Sequence, residues 1–348
     1  MKSLVIGGAG FIGSHIVRRL MKGRHKIFLF DNFSRSGSQI NVDCVKGYVG
    51  LKIINGDVRK ISSVENIFKK YGPFDLIFHQ AAQVAVTKSI EDPRHDFEVN
   101  AMGTFNVLEA ARKLSKISIL LYASTNKVYG KLDHLKIREQ KTRYVYAGRS
   151  RGVSEAENLD FYSPYGCSKG IADQYVRDYF RTYGLRTVVF RQSCIYGPWQ
   201  FGMEDQGWVA WFILASLLGK PLTIYGNGKQ VRDVLYIDDL IDLYFLAIEK
   251  IEISAGQIYN AGGGMSHTLS LFELVRMIKG YTADEVKLSF KKPRLGDQRV
   301  FISDIGKAKS ELGWRPRISA EEGTRRLYAW ALGHRDLIVR AFGGAKKL

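Results

Sequence analysis

The sequence is poor in the features that mark several large protein classes. It has three cysteines in 348 residues, Cys44, Cys167 and Cys194. Their spacing matches no metal-ligand pattern and their odd number suits no disulfide framework, so no metal is expected and a stapled secreted scaffold is excluded. This usage fits a reducing compartment, and the cytoplasm is the expected location. No apolar run is long enough to span a bilayer: the longest, Trp208 to Leu218, covers roughly half of the ~20 residues a spanning helix needs and reads as a buried helix. Near the amino end Leu4-Val5-Ile6 follows Lys2 as in a secretion signal, but the glycines from Gly7 to Gly13 cut the apolar run short and no cleavage-like site follows. There is no internal repeat, no low-complexity tract and no run of five like charges.

Acidic residues are in deficit as well, 34 against 52 Lys and Arg, for a formal charge of +18. Such a field attracts nucleic acid, anionic surfaces and phosphorylated small molecules alike. The cations are scattered from Lys2 to Lys347, which points to a solvated basic surface with some residues free to hold phosphates, and speaks against nucleic acid as the partner.

What is present is a large apolar complement, 45% hydrophobic and 12% aromatic, enough for a sizeable core. The first half alternates short β-rich runs with amphipathic segments. This is the pattern of βαβ units feeding a parallel sheet, so the expected fold is α/β, a Rossmann-type doubly wound sheet. Strands are expected at Lys2–Ile6, Lys26–Phe30, Leu51–Asn55, Leu76–His79, Ile117–Ala123 and Arg186–Gln192, and helices at Phe11–Met21, Ser62–Tyr71, Val99–Lys113 and Tyr165–Tyr183. Residues 1–195 then form a dinucleotide-binding domain. Within it 131–163 is long, charged and poorly periodic, either an insertion near the site or a mobile lid. After Tyr196-Gly197-Pro198 the alternation fades, and 196–348 reads mainly as a smaller α/β substrate domain. The ending from Gly343 to Lys347 is expected to fray.

Gly7-Gly8-Ala9-Gly10-Phe11-Ile12-Gly13 joins the first strand to the first helix. Glycines at Gly7, Gly10 and Gly13 permit a tight turn and close approach of a pyrophosphate, while the helix start at Phe11 and Ile12 offers free N–H groups. Asp31 closes the second strand, where a carboxylate accepts hydrogen bonds from a ribose and repels a 2′-phosphate; this favours NAD over NADP, with Arg35 close enough to soften the preference. Asp57-Val58 follows the third strand, where a carboxylate or backbone can meet the adenine. Tyr165 and Lys169 lie four residues apart on one helix face, and a Lys cation there is expected to lower the tyrosine pKa from about 10 towards working pH. Ser124 and Thr125 end another strand, where hydroxyls can orient a substrate alcohol.

Taken together these elements resemble the extended short-chain dehydrogenase/reductase superfamily, in particular its sugar-nucleotide epimerases and dehydratases. The likeness runs from about residue 1 to residue 330, through GGAGFIG, His79-Gln80-Ala81-Ala82, Asn100-Ala101-Met102-Gly103-Thr104, VYG at 128–130, the Tyr165/Lys169 pair and Tyr196-Gly197-Pro198. Within it the stretches AAQVAVTKSIEDP (81–93), STNKVYG (124–130), SPYGCSKGIADQY (163–175), DQGWVAWF (205–212), GNGKQVRDVL (226–235) and DQRVF (297–301) are most similar to the CDP-tyvelose (CDP-paratose) 2-epimerase group.

The resemblance implies that Thr125, Tyr165 and Lys169 are catalytic, and that carbon 2 of a CDP-linked hexose is inverted through a transient 2-ketose. It adds Asn32, Ser36, Ala81, Ala82, Gln83 and Asn100, with Tyr165 and Lys169, to the cofactor residues. Thr125, Asn126, Cys194, Gln206, Gln230, Arg232, Arg294 and Asp297 become the substrate set, with the two arginines as diphosphate clamps. It also implies a homodimer built on the helices at 99–113 and 165–183.

Two departures matter. The 4,6-dehydratases carry an Asp-Glu pair where this chain has Asn126-Lys127, so elimination lacks its acid and base. Many 4-epimerases carry an asparagine where this chain has Cys194. A UDP-sugar 4-epimerase or another sugar-nucleotide reductase remains the alternative enzyme. The alternative outside catalysis is an RNA- or cofactor-sensing binding protein, against which the intact Tyr165/Lys169 pair speaks.

Overall fold

The computed structural model describes residues 1–343 apart from Arg24, Arg149, residues 283–284 and Leu295. The expected fraying of the terminal stretch lies outside the described residues.

In chain order the strands are β1 (Lys2–Ile6), β2 (Lys26–Asp31), β3 (Leu51–Asn55), β4 (Leu76–His79), β5 (Ile119–Thr125), β6 (Ile137–Glu139), β7 (Tyr144–Tyr146), β8 (Arg186–Gln192), β9 (Cys194–Tyr196), β10 (Leu222–Tyr225), β11 (Val231–Tyr236), β12 (Ile258–Ala261), β13 (Thr268–Ser270), β14 (Leu288–Lys291) and β15 (Val300–Phe301). Seven of them form a parallel sheet in the order β12-β8-β5-β4-β1-β2-β3. The order reverses between β1 and β4, so a crevice opens there at the carboxyl ends of the strands.

Both faces of this sheet are covered, and the strands are accordingly apolar at almost every position. Val5, Leu29, Leu76, Phe78, Leu121 and Phe190 face one layer, built with Ile16, Val17 and Leu20 of helix Phe11–Met21 and Leu240, Leu243 and Tyr244 of helix Ile237–Glu249. The alternate residues Leu4, Ile6, Phe30, Ile77, Leu120 and Val189 face the other layer. There they meet Val64, Ile67 and Phe68 of helix Ile61–Tyr71, Val107 and Leu108 of helix Gly103–Leu114, and Ala172, Val176 and Tyr179 of helix Pro164–Tyr183. The period of two along each strand decides which layer a side chain enters.

The first sheet is not made from the first half of the chain alone. β12 returns to pair with β8, and helix Ile237–Glu249 packs on helix Phe11–Met21. The second lobe holds a small sheet in which β11 pairs with β9, β13 and β15, a parallel β10–β14 pair, and helices Trp208–Leu217, Leu271–Tyr281 and Ala320–Gly333. The apolar run at 208–217 is a helix whose Val209, Phe212, Ile213 and Leu214 are buried.

Between residues 131 and 163 the chain folds as an antiparallel hairpin, β6–β7, laid on the second lobe. The Tyr144 N–H donates to the Lys229 carbonyl at 2.9 Å, Asn227 Nδ2 donates to the Tyr144 hydroxyl at 2.7 Å and Lys229 Nζ reaches Glu139 Oε1 at 2.6 Å. Arg143 forks onto Glu273, with Nε to Oε1 at 2.7 Å and Nη2 to Oε2. Glu273 itself closes the capping box of helix Leu271–Tyr281 with Ser270, so one carboxylate fixes a helix start and the hairpin together. The segment is a brace and not a lid.

Candidate active site

The glycine loop is shaped for a phosphate group. Gly7 has φ +79°, and a Cβ there would stand 2.5 Å from the Ala81 nitrogen; a Cβ on Gly13 would stand 2.1 Å from the Gly7 carbonyl oxygen. Only glycine fits either position. Helix Phe11–Met21 starts at Gly10 with no side-chain cap, leaving its first-turn N–H groups to a ligand anion.

Asp31 sits beside this loop, accepting from Ala9 N at 3.0 Å and Phe33 N at 2.8 Å. Burial pushes its carboxyl above the usual range while those N–H groups pull it back. Asn32 Nδ2 donates to Asp57 at 3.3 Å, and Arg59 forks onto the same carboxylate, which holds Asp57 down at about 2. Two sequence candidates already have occupied atoms: Ser36 Oγ donates to the Ala341 carbonyl at 2.8 Å, and the Val58 carbonyl accepts from Asn106 at 2.9 Å. Asn100 is fully buried on a π-helical turn, Glu98–Met102, that opens the helix expected at 99–113. Its Oδ1 accepts from Gln83 N at 3.0 Å and its Nδ2 donates to the Gln83 carbonyl, Asp96 and Ser168. It locks the loop that carries Ala81 and Ala82 beyond β4. Glycine turn, uncapped helix start and the Asp31 carboxylate beside them are a set of donors and an acceptor suited to a dinucleotide.

At the carboxyl ends of the strands lies a cavity of about 330 Å³. It gathers Phe11 and Ile12 from the glycine loop, Thr125 and Asn126 from the end of β5, Tyr165, Cys194 from β9, and Gln206, Gln230, Arg232, Arg294 and Asp297 from the second lobe. None of the described residues in 131–163 lines it, so of the two expectations for this segment, an insertion near the site or a lid, the lid is corrected: the hairpin's hydrogen bonds go to Asn227 and Lys229 before β11 and to Glu273 of the capping box instead.

The reacting end is deeply buried. Thr125 and Tyr165 keep 6% and 8% of their surface exposed. Burial pushes the Tyr165 phenol up to about 12, opposed by its hydrogen bond with Thr125. Lys169, 2% exposed, donates to the Ala123 carbonyl at 2.6 Å and sits 4.3 Å from the Tyr122 ring centre. Burial takes its amine down to about 7. The expected depression of the tyrosine by its lysine is therefore not found: burial raises the phenol, the Asp96 charge raises it further, and Thr125 is the group that works the other way. Beneath them lies a buried pair, Arg191 and Asp173 at 3.0 Å, and Asp173 also accepts from Ser124 Oγ at 2.7 Å, which fixes that cavity-lining hydroxyl towards the support.

The other end is cationic and polar. Arg232 is 9% exposed, and among the described residues its one hydrogen bond goes to its neighbour's carbonyl, Val231 O, at 2.8 Å. Arg294 lies 3.7 Å from the Tyr225 ring centre and donates to the Glu204 carbonyl at 3.1 Å. Gln206 accepts from Arg35, joining the candidate substrate and cofactor regions. Trp208 Nε1 donates to Cys194 Sγ at 3.3 Å, and burial pushes that thiol up, as befits a packing residue and not a nucleophile. Sequence reasoning did not assign a site role to Lys127, Gln192, Thr87 or Trp208, which also line the cavity. Thr87, Lys127 and Trp208 stand inside motif stretches; for Gln192 no sequence signal pointed inward.

The pattern of the NAD dependent epimerase/dehydratase family matches residues 3–262. The chain belongs to that family. It is 43% identical over 335 residues to a CDP-paratose 2-epimerase of Salmonella typhi, covering 95% of this chain and 99% of that protein. It is 31% identical over 360 residues to a dTDP-glucose 4,6-dehydratase of Salmonella typhimurium, covering 99% of this chain and 96% of the other. A Thermus thermophilus UDP-glucose 4-epimerase solved with NAD superposes with a TM-score of 0.81 at 32% identity, over 96% of this chain and all of that one. The protein is an NAD-dependent nucleotide-sugar epimerase with the expected doubly wound fold.

Proposed function

We propose that this epimerase inverts carbon 2 of a CDP-linked hexose. The observation that carries the reading is the cavity that gathers Thr125 and Tyr165 at one end and Arg232 and Arg294 at the other, in a chain so similar along its length to a CDP-paratose 2-epimerase. Gly7, Gly10, Gly13, Asp31 and the first turn at Phe11 and Ile12 would hold NAD, which when bound supplies the hydride acceptor and donor and a cationic ring that favours a phenolate.

The protein's own steps follow from the side chains. Arg232 and Arg294 anchor the diphosphate with guanidinium forks, and Gln230 and Asp297 border the sugar. Thr125 shares the proton of the carbon 2 hydroxyl with Tyr165. Tyr165 takes that proton as carbon 2 gives up its hydrogen as hydride, which leaves a ketone. The anchored ketose turns about its diphosphate, the hydride returns to the opposite face, and Tyr165 gives the proton back. Lys169 holds the end of β5 in register through the Ala123 carbonyl.

The test is incubation of the purified enzyme with CDP-paratose carrying deuterium at carbon 2. Formation of CDP-tyvelose with the label kept at carbon 2 supports the reading. Conversion of UDP-glucose to UDP-galactose in place of it would favour a 4-epimerase.

The same reading includes a homodimer in the cytoplasm. Phe97, Met102, Phe105, Ile171, Tyr175 and Tyr183 are exposed along the helices at 93–114 and 164–183, a patch that a second copy would cover in a four-helix packing. Replacing Phe105 by Glu should yield monomers in sedimentation. All three cysteines are free, in keeping with a reducing compartment.

A further inference from the structure

Lys127 lines the cavity, yet nothing in the catalytic scheme above uses it. It stands on the 3-10 turn Asn126–Tyr129 directly after β5, and its backbone N–H donates to Thr125 Oγ1 at 3.3 Å, which ties the turn to the reacting end of the site. Its side chain crosses to the second lobe, where Nζ donates to the Gly296 carbonyl at 3.1 Å. An ammonium carries three donors, and among the described residues this is its one acceptor. The groups that face it are Arg232, whose like charge works against the ammonium, and Asp297 and Cys194, which work for it. Burial is the largest influence and takes the amine down to about 8.

Lys127 is half-buried at the cavity wall, and its two remaining donors are free to bond a ligand that enters there. The turn is pinned to Thr125 at the reacting end while Nζ reaches Gly296 beside Asp297, so the free donors face the stretch of cavity between the reacting end and the diphosphate arginines. We propose that Lys127 is a further substrate-contacting residue, donating hydrogen bonds to oxygens of the hexose while the Gly296 carbonyl keeps it between the two lobes. Resting on the nucleotide-sugar reading above, this gives the reaction a second hold on the sugar besides the diphosphate anchor. That hold is what keeps the ketose inside while it turns.

The experiment uses the full NAD-loaded enzyme in a Tyr165→Phe background, so that ligand binds without turning over. Lys127→Met and Lys127→Arg are added, NAD content and melting temperature are checked, and affinities for CDP and for CDP-paratose are measured by calorimetry. The expected result is a loss of tenfold or more for CDP-paratose with Lys127→Met, a change within twofold for CDP, and partial recovery with Lys127→Arg. Unchanged CDP-paratose affinity overturns the proposal, and so does an equal loss for CDP, which would move the contact to the diphosphate. The same comparison with UDP and UDP-glucose separates the two readings: a parent that binds only the uridine pair ends the CDP assignment, while the ratio between those two ligands still tests Lys127. A parent that binds neither sugar nucleotide overturns both.

Discussion

Lys169 spends its ammonium on the carbonyl of Ala123, 2.6 Å away, and not on the phenol of Tyr165 one helical turn before it. The two residues therefore fail differently when replaced. Tyr165→Phe removes the proton carrier and leaves packing intact, so turnover should fall about 10²–10⁴-fold with bound NAD unchanged. Lys169→Met removes the tie that fixes the end of β5 as well as the charge, so both turnover and NAD retention should fall. Turnover of supplied substrate and mass spectrometry of the ligands released on denaturation measure the two effects. A Lys169→Met enzyme with normal NAD content and normal turnover would contradict this division of labour.

His79 closes β4 in complete burial, with Nε2 3.0 Å from Thr104 Oγ1, and desolvation lowers its pKa from 6.5 to about 3. In the unfolded chain it takes up a proton near pH 6.5; in the folded chain it stays neutral down to about 3. The unfolded state thus binds more protons across that window, so stability is lost as pH falls from about 6.5 towards 3, at about 1.4 kcal/mol per pH unit for this one group. Urea unfolding of the wild type and of His79→Asn at pH 4 to 6 should show the variant with a slope shallower by nearly that amount. Equal slopes would mean that this imidazole is not the group being titrated.

The strands of the first half were legible because each is a short apolar run between glycines or helix signals, and all six expected in it lie where the structure has strands, with shifts of up to two residues at their ends. β12 was not legible. Its four residues, Ile-Tyr-Asn-Ala, have no alternating pattern, and only the neighbouring Val189–Gln192 edge makes them a strand. The hairpin at 137–146 was hidden for a related reason: its partners Lys229 and Glu273 come about 90 and 130 residues later, and its own sequence is largely charged. The glycine loop stood out because its spacing is set by a turn, and Tyr165 with Lys169 because helix geometry puts them on one face, whereas Thr125 as a catalytic group and the two arginines came from the family resemblance alone. The acidities were not, since desolvation of Tyr165 and Lys169 depends on everything packed around them.

The hairpin brace carries its own expectation. Arg143 grips Glu273 and the hairpin backbone grips Lys229, immediately before Gln230 in the cavity wall. Releasing it should loosen the sugar-nucleotide pocket without touching the reacting end. Arg143→Ala is expected to raise KM by roughly tenfold, equivalent to about 1.4 kcal/mol of binding, with kcat nearly unchanged. The exchanged pair Arg143→Glu with Glu273→Arg should restore part of the loss. A fall in kcat at constant KM would place the brace in the chemical step instead.

Arg232 offers the sharpest contrast with Lys127, because the two cations line one cavity and face each other, yet one is assigned to the diphosphate and the other to the hexose. Its strand, β11, is held from behind by Asp233, which is fully buried and accepts from Ser193 Oγ at 2.5 Å and Gly264 N at 3.2 Å. The guanidinium is thus presented on a fixed backbone with little protein bonding of its own, a state suited to a diphosphate. Losing a buried, charge-assisted contact of this kind costs about 2–5 kcal/mol, so Arg232→Met should raise KM by 30-fold or more, roughly, and weaken inhibition by CDP in the same proportion. Arg232→Lys should recover the charge but not the fork, and only part of the affinity. If Arg232→Met weakened the intact sugar nucleotide while CDP inhibited as before, the arginine would belong with the hexose, and the direction in which the substrate lies in the cavity would have to be reversed.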